Sequence, residues 1–185
     1  MTPTRPPTIV SGGLLRMFGG GVLIIGDSGV GKSESALELI SRGHKFISDD
    51  VVEVRRTRGG KIIGRAPALG RFFMEIRGLG IINIKAIFGR RSTLAASPVD
   101  LVIRLKKWSR KQEYDRLSLR FPEDREILGV RIPQLNLPVA PGRNIATLIE
   151  VACQVQLLRR RGYRAAEEIV RRLDRALDPN RRPKR

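Results

Sequence analysis

At 185 residues the chain suits one compact domain, and a hydrophobic content of 41% is that of a globular protein, too high for a disordered one. A single Cys and a single His exclude a disulfide framework and a Cys/His zinc cluster, and no apolar run reaches the length of a bilayer span. The formal net charge of +18 attracts acidic partners, yet an arginine-rich surface of no functional meaning gives the same total.

In chain order, residues 1–8 read as a Pro-rich, disordered lead-in without the apolar core of a signal peptide, which points to a reducing, cytoplasmic setting. Residues 22–25 form a β-branched run that ends in Gly26, the pattern of a buried strand. A glycine-rich turn follows, then a helix over 33–42 with Ala36, Leu37 and Ile40 on one face and Gly43 closing it. Residues 46–48 make a second strand running into Asp49 and Asp50. Residues 51–56 and 61–65 pair as a hairpin across the Thr57–Gly60 turn. Glycines at 70, 78, 80 and 89 predict loops around a site over 66–90, and 99–105 is the next strand. Residues 110–119 are charged and lack clean periodicity.

Further on, residues 127–137 read as extended and 138–142 as a rigid Pro-rich loop. Asn144 caps a helix whose stripe is Ile145, Leu148, Ile149, Ala152 and Val155, with Cys153 as a buried structural thiol. Ala165–Leu177 is a last amphipathic helix, and 178–185 a mobile basic tail. With no internal repeat and no long linker, 9–177 is expected to be a single domain.

The chemistry concentrates in Gly26, Asp27, Ser28, Gly29, Val30, Gly31, Lys32 and Ser33, which match the phosphate-loop pattern G-x-x-x-x-G-K-[ST] between a strand and a helix. Glycines let backbone N–H groups curl around phosphate oxygens, and the helix directs its positive dipole end at them. Lys32 reaches the β- and γ-phosphates, and the Ser33 hydroxyl binds Mg²⁺. Acids must complete such a site. Asp49 and Asp50, adjacent on an extended chain, point to opposite faces, so one serves metal or substrate while the other bonds locally. Glu75, between apolar neighbours, is a third candidate, either a ligand or a salt-bridged structural acid. His44 has no partner in view and reads as structural.

These residues resemble the catalytic domain of the bifunctional HPr kinase/phosphorylase family, which phosphorylates a serine of the phosphocarrier protein HPr and removes the phosphate by phosphorolysis. The resemblance runs from about residue 10 to 173 and rests on the phosphate loop, the 42–50 stretch ending in Asp49-Asp50, the signature 75–83, Tyr114 to Leu117, and 138–144. It implies a P-loop α/β domain of the phosphoenolpyruvate carboxykinase-like type, a central mixed sheet flanked by helices, assembled as a hexamer. It implies ATP with Mg²⁺ or Mn²⁺, and phosphate or pyrophosphate in the reverse reaction. Ser33 and Glu75 would hold the metal. Asp50 would be the base of the kinase reaction and the acid of its reverse, with Asp49 beside it, and Arg116 would stabilise the transferring phosphoryl group. The signature Glu75, Ile76, Arg77, Gly78, Leu79, Gly80, Ile81, Ile82 and Asn83 would serve both directions. Leu137, Pro138, Val139, Ala140, Pro141 and Gly142 would serve chiefly phosphorolysis.

Three departures stand out. The chain resembles the short, single-domain forms of the family or a truncated chain, since longer members carry an additional N-terminal domain. Ser11 occupies the place of a catalytic-site histidine, and serine cannot carry positive charge or accept a proton at neutral pH. Ala140 stands where an arginine is usual, so bidentate phosphate contact is lost there. Other readings are a P-loop kinase retargeted to another hydroxyl, a nucleotide-binding regulator without chemistry, and a nucleic-acid binder using the arginines at 159–161 and 181–185. The last lacks a recognisable module and aromatic platform.

Overall fold

A computed structural model describes residues 8–108 and 123–177. Its strands are β1 (Thr8–Ser11), β2 (Gly13–Met17), β3 (Gly20–Gly26), β4 (Lys45–Ser48), β5 (Val51–Arg56), β6 (Ile62–Arg65), β7 (Phe73–Ile76), β8 (Gly80–Asn83), β9 (Ala96–Pro98), β10 (Leu101–Lys107), β11 (Glu123–Ile127) and β12 (Val130–Val139). The helices are α1 (Lys32–Ser41), α2 (Ile84–Phe88), α3 (Ile145–Arg160) and α4 (Ala165–Leu177).

A six-stranded mixed sheet runs β11-β12-β10-β3-β2-β4. Its centre is parallel, with Val22–Gly26 of β3 opposite Leu101–Leu105 of β10, and Val102–Lys107 of β10 opposite Gln134–Val139 of β12. Alternate side chains of these strands face opposite ways. Val22, Ile24, Leu101, Ile103 and Leu105 meet Leu39, Ile40, Ile149 and Cys153 of α1 and α3 in one core. Leu23, Ile25 and Val102 meet Val52, Val54 and Ile62 of the four-stranded antiparallel sheet β1-β5-β6-β9 in a second. Helices therefore flank the mixed sheet on one face, and a second sheet covers the other.

Several segments differ from their sequence-based reading. Residues 66–90 contain the hairpin β7–β8 and helix α2 in addition to loops, because Met74 and Ile76 alternate inward within a segment otherwise read by its glycines. The extended stretch 127–137 is divided by a turn at Leu128-Gly129, with β11 and β12 pairing antiparallel across it. Pro138 and Val139 belong to β12, so the loop shifts to 140–144. Thr8, assigned to the lead-in, opens β1. Asn144 does cap α3, its side chain accepting from Thr147 N. The buried face of that helix is Ala146, Ile149, Ala152, Cys153 and Gln156, rotated from the expected stripe, while Val155 is 38% exposed. On α4 no residue is buried. Residues 1–7, 109–122 and 178–185, including most of the lead-in, Arg116 and the basic tail, lie outside the described residues. Among the described residues no helix is long and apolar enough to cross a membrane.

One glycine fixes how the two sheets stack. A Cβ at Gly21 would sit 1.5 Å from the Pro98 carbonyl oxygen, where β9 crosses the start of β3. The same site is closed by Gly21 N–H donating to Asp100 Oδ2 and Asp100 N–H to the Gly21 carbonyl, both at 2.8 Å. Gly21→Ala is expected to cost about 3 kcal/mol, at the upper end of overpacking penalties, measured as a lowered midpoint in urea denaturation.

Candidate active site

The phosphate loop begins where β3 ends. Gly26 lies so close to β10 that a Cβ would meet the Leu105 carbonyl oxygen at 2.6 Å. Gly29 and Gly31 adopt left-handed φ of 73° and 97°, which side chains disfavour, and Gly31 is the N-cap of α1. No side chain caps that helix start, so the loop amides and the dipole face outward for an anion. Lys32 Nζ folds over the loop, donating to the carbonyls of Gly26 and Asp27, each at 3.0 Å. Val30 is buried and anchors the loop in the core.

The acidic pair sits at the turn from β4 to β5. Asp50 takes a left-handed φ of 57°, and its carbonyl accepts from Gly12 N at 2.9 Å, tying β1 to the turn. Asp49 is half-buried, and Ser33 Oγ donates to its carboxylate at 3.0 and 3.2 Å from the two oxygens. Burial first, and the neighbouring Asp50 charge second, push the Asp49 carboxyl up to about 6, against the opposing Ser33 hydrogen bond. So the two carboxylates part in role: Asp49 is held inward on the phosphate-loop serine, and Asp50 is exposed to the cleft.

The β7–β8 hairpin supplies the far wall. Burial of Met74 and Ile76 turns Glu75 outward. Ser28, Gly29, Lys32, Ser33, Asp50, Glu75 and Arg77 thereby line one open cleft of about 170 Å³. Arg77 leans over the loop, with Nη2 3.8 Å from where a Gly29 Cβ would lie. Glu34 also lines the cleft. The rest of the signature builds the hairpin. Gly78 and Gly80 take φ of 87° and 80° at the turn, and Asn83 accepts from Ala86 N to cap α2. Leu79 and Ile81 are 70% and 75% exposed.

Other expected residues lie apart. Ser11 pairs with Val51, one residue from Asp50, and does not line the cleft. Leu137, Pro138 and Val139 end β12, whose register places Val139 beside Lys107 of β10, on the same edge of the sheet as the phosphate loop with β10 between them. Ala140 accepts from Arg143 N, and Arg143 Nη1 donates to the Pro138 carbonyl at 3.0 Å. Arg116 lies outside the described residues. His44 finds its partner on α3: Nε2 lies 2.8 Å from Glu150 Oε1, and its ring meets Phe18 edge-on at 4.9 Å. Arg77, expected as part of the signature, lines the cleft, whereas Glu34 and the Ser33–Asp49 contact were not foreseen. Only the outward phase of Glu75 and Arg77, alternating with Met74 and Ile76, carried a signal.

The cleft offers a hydroxyl and carboxylates, the hard oxygen donors that suit Mg²⁺. Among the described residues no group of three or more His, Cys, Asp or Glu converges as a metal cage. That partial set fits an ion that completes its shell with phosphate oxygens and water. Ser33 and Glu75 both face the cleft and fit that role.

An acid whose carboxyl is raised by folding disfavours the folded state once ionised. Stability linked to Asp49 is therefore full below pH 4 and is lost as pH rises through about 6. Thermal unfolding of the ligand-free protein is expected to show a falling Tm between pH 4 and 6.5, and Asp49→Asn to flatten that slope.

Comparison with known proteins places this site in a family. A family model described as HPr Serine kinase C-terminal domain matches residues 4–173. The chain is 47% identical over 177 residues to the HPr kinase/phosphorylase of Geobacillus thermodenitrificans, covering 96% of this chain and 57% of that protein. It is 48% identical over 169 residues to HPr kinase/phosphorylase 1 of Oceanobacillus iheyensis, covering 91% and 54%. The chain thus spans somewhat over half the length of these curated relatives. The solved Hpr(Ser) kinase/phosphatase from Coxiella burnetii superposes with a TM-score of 0.76 at 32% identity, over 88% of this chain and 98% of that one. The chain belongs to the HPr serine kinase C-terminal domain family.

Proposed function

We propose that the chain is an ATP-dependent protein-serine kinase whose acceptor is HPr or an HPr-like phosphocarrier protein, and whose phosphorolytic reverse reaction is weakened. The observation that carries this reading is a single cleft in which phosphate-loop residues, Asp50, Glu75 and Arg77 face one another. Family membership supplies the acceptor class.

In this reading the loop amides and the α1 dipole bind the β- and γ-phosphates of ATP. Lys32 leaves the carbonyls of Gly26 and Asp27 to neutralise charge on them. Ser33 and Glu75 would hold Mg²⁺, which would supply positive charge against the triphosphate. Asp50 accepts the proton of the attacking serine hydroxyl as its oxygen bonds to the γ-phosphorus and the bond to ADP breaks. In the reverse direction the same carboxyl returns the proton to the serine oxygen while inorganic phosphate attacks the phosphoserine. Asp49 orients Ser33. Arg116 stabilises the phosphoryl group in flight, and Arg77 supplies further positive charge over the loop. The exposed apolar faces of α3 and α4 suit assembly with further copies of the chain, and a cytoplasmic setting accords with an HPr acceptor.

The test is incubation with Mg²⁺, labelled ATP and HPr, with phosphoserine followed by mass spectrometry. Phosphoserine is expected with the native chain. Lys32→Ala should lower its formation by about 10²–10³-fold, and Asp50→Asn by about 10²–10⁴-fold with ATP binding retained. Confirmed ATP binding without any transfer would overturn the kinase reading. Release of pyrophosphate from phosphorylated HPr and phosphate should be slower than the forward reaction, and Ser11→His is expected to raise both rates. A phosphorolysis rate equal to the kinase rate would remove the claim of impairment.

A further inference from the structure

Helix α3 starts with one hydrogen bond more than its own cap requires. Asn144 Oδ1 accepts from Thr147 N at 2.8 Å, and that bond alone completes the cap. The other end of the same amide reaches across to α1, where Asn144 Nδ2 donates to Glu38 Oε1 at 2.9 Å. A serine would cap α3 as well, but it has no amide N–H group to give Glu38. The choice of asparagine therefore serves the contact between the two helices.

The next residue shows where that contact acts. Ile145 Cδ1 lies 3.4 Å from the position of a Cβ at Gly31, the phosphate-loop residue that begins α1. Glu38 follows on the same face of α1, two turns or about 10 Å further along. The start of α3 thus meets α1 at two points, one on the phosphate loop and one at Glu38. A single point leaves a pivot, whereas two points set a direction. Arg42 donates to Glu38, and also to Glu150 and to Thr147 Oγ1 of α3, the last at 3.1 Å, which keeps the Glu38 carboxylate turned toward α3. The 140–144 loop precedes α3 and is tied to itself: Arg143 N donates to the Ala140 carbonyl and Arg143 Nη1 to the Pro138 carbonyl. Its placement against the phosphate loop is inherited from the start of α3.

We propose that Glu38 is a positioning residue for the phosphorolytic direction: through Asn144 it holds the 140–144 loop in register with the phosphate loop, and so sets the affinity for attacking inorganic phosphate. Glu38 does not line the cleft, so it acts only through its partner. The assignment rests on the reading of 137–142 as the segment that serves phosphorolysis. In the same reading ATP is held by the loop amides, Lys32 and the α1 dipole, none of which is reached through Glu38, and the forward reaction is spared.

Steady-state kinetics in both directions test it. Glu38→Ala and Asn144→Ser are each expected to raise KM for inorganic phosphate about fivefold, with kcat and KM for ATP held within about twofold. That is less than the roughly tenfold worth of a hydrogen bond to a charged group, because both partners are solvent-exposed. Glu38→Gln keeps an acceptor for Asn144 Nδ2 and should restore most of the loss. The double variant should be no worse than either single one, since both remove the same bond. An unchanged KM for phosphate, an equal rise in KM for ATP, or a Glu38→Gln variant as poor as Glu38→Ala would overturn the assignment. A second measurement separates it from the kinase reading: pyrophosphate with Mg²⁺, titrated into the full chain and followed by amide chemical shifts. The native chain should shift at 26–33 and at 142–147 together, and Glu38→Ala should keep the first set and lose the second. If the native chain makes no phosphoserine, the kinase reading falls by itself. Amides 142–147 that stay still in the native chain, or move equally in Glu38→Ala, would remove the positioning role.

Discussion

The catalytic end of the molecule depends on one interaction, the hydrogen bond from Ser33 Oγ to the half-buried Asp49 carboxylate. It ties the first turn of α1 to the residue that follows β4. Holding Asp49 inward forces the next residue to turn back toward β5, and Asp50 does so with a left-handed φ of 57°. Strain of this kind persists where surrounding contacts over-determine it. Here those contacts are Gly12 N–H on the Asp50 carbonyl and Ser48 Oγ donating to the Val51 carbonyl at 2.5 Å. The result is a carboxylate fixed at the mouth of the phosphate loop by backbone geometry, with its side chain exposed to the cleft.

The parallel order β12-β10-β3 then decides what else is near. Ligands in α/β sheets gather at the carboxyl ends of the strands, where loops converge and helix N-termini begin. Gly26 marks that edge for β3, Lys107 for β10 and Val139 for β12. Helices α1 and α3 start from the same edge and are braced against each other by a polar cluster. Glu150 accepts from Arg42 and contacts His44, and Glu38 accepts from Arg42 and Asn144. Partial exposure keeps each pair weak, but together they brace the helix that begins at the phosphate loop against the helix that follows the 140–144 loop.

How much of this was legible follows from which constraints are local. The phosphate loop could be read because each of its residues has a local reason: positive φ at Gly29 and Gly31, a helix start at Lys32. The Asn144 cap was legible for the same reason. The β7–β8 hairpin was not, because its glycines at 78 and 80 are turn residues that look like loop when only punctuation is counted, and its apolar phase covers just four residues a strand. On α3 the expected Ile149 and Ala152 are buried, but Val155 is not, because it looks as apolar as Ile149 and only the position of β12 and α1 decides which is covered. The partner of His44 lies 106 residues away, and no local pattern announces it. Asp49 and Asp50 were recognised as a pair with divided roles, but the assignment of Asp49 to Ser33 required the fold.

The two single-residue departures from the family pattern take on different meanings once placed. Ser11 lies in β1 opposite Val51, beside the Gly12 amide that holds the Asp50 carbonyl, and no phosphate-loop residue bonds to it. On the proposed mechanism, an imidazole there would act on the field around Asp50 and not on the nucleotide, so its replacement weakens proton transfer in both directions while ATP binding stands. Ala140 follows the end of β12, a strand beyond β10. The neighbouring Arg143 is held by the Pro138 carbonyl and so is anchored to its own loop. On the proposed mechanism, the charge missing at 140 would fall on the reaction that needs to bind free phosphate, and the forward reaction, whose phosphate would already be held by the loop, would be the less affected.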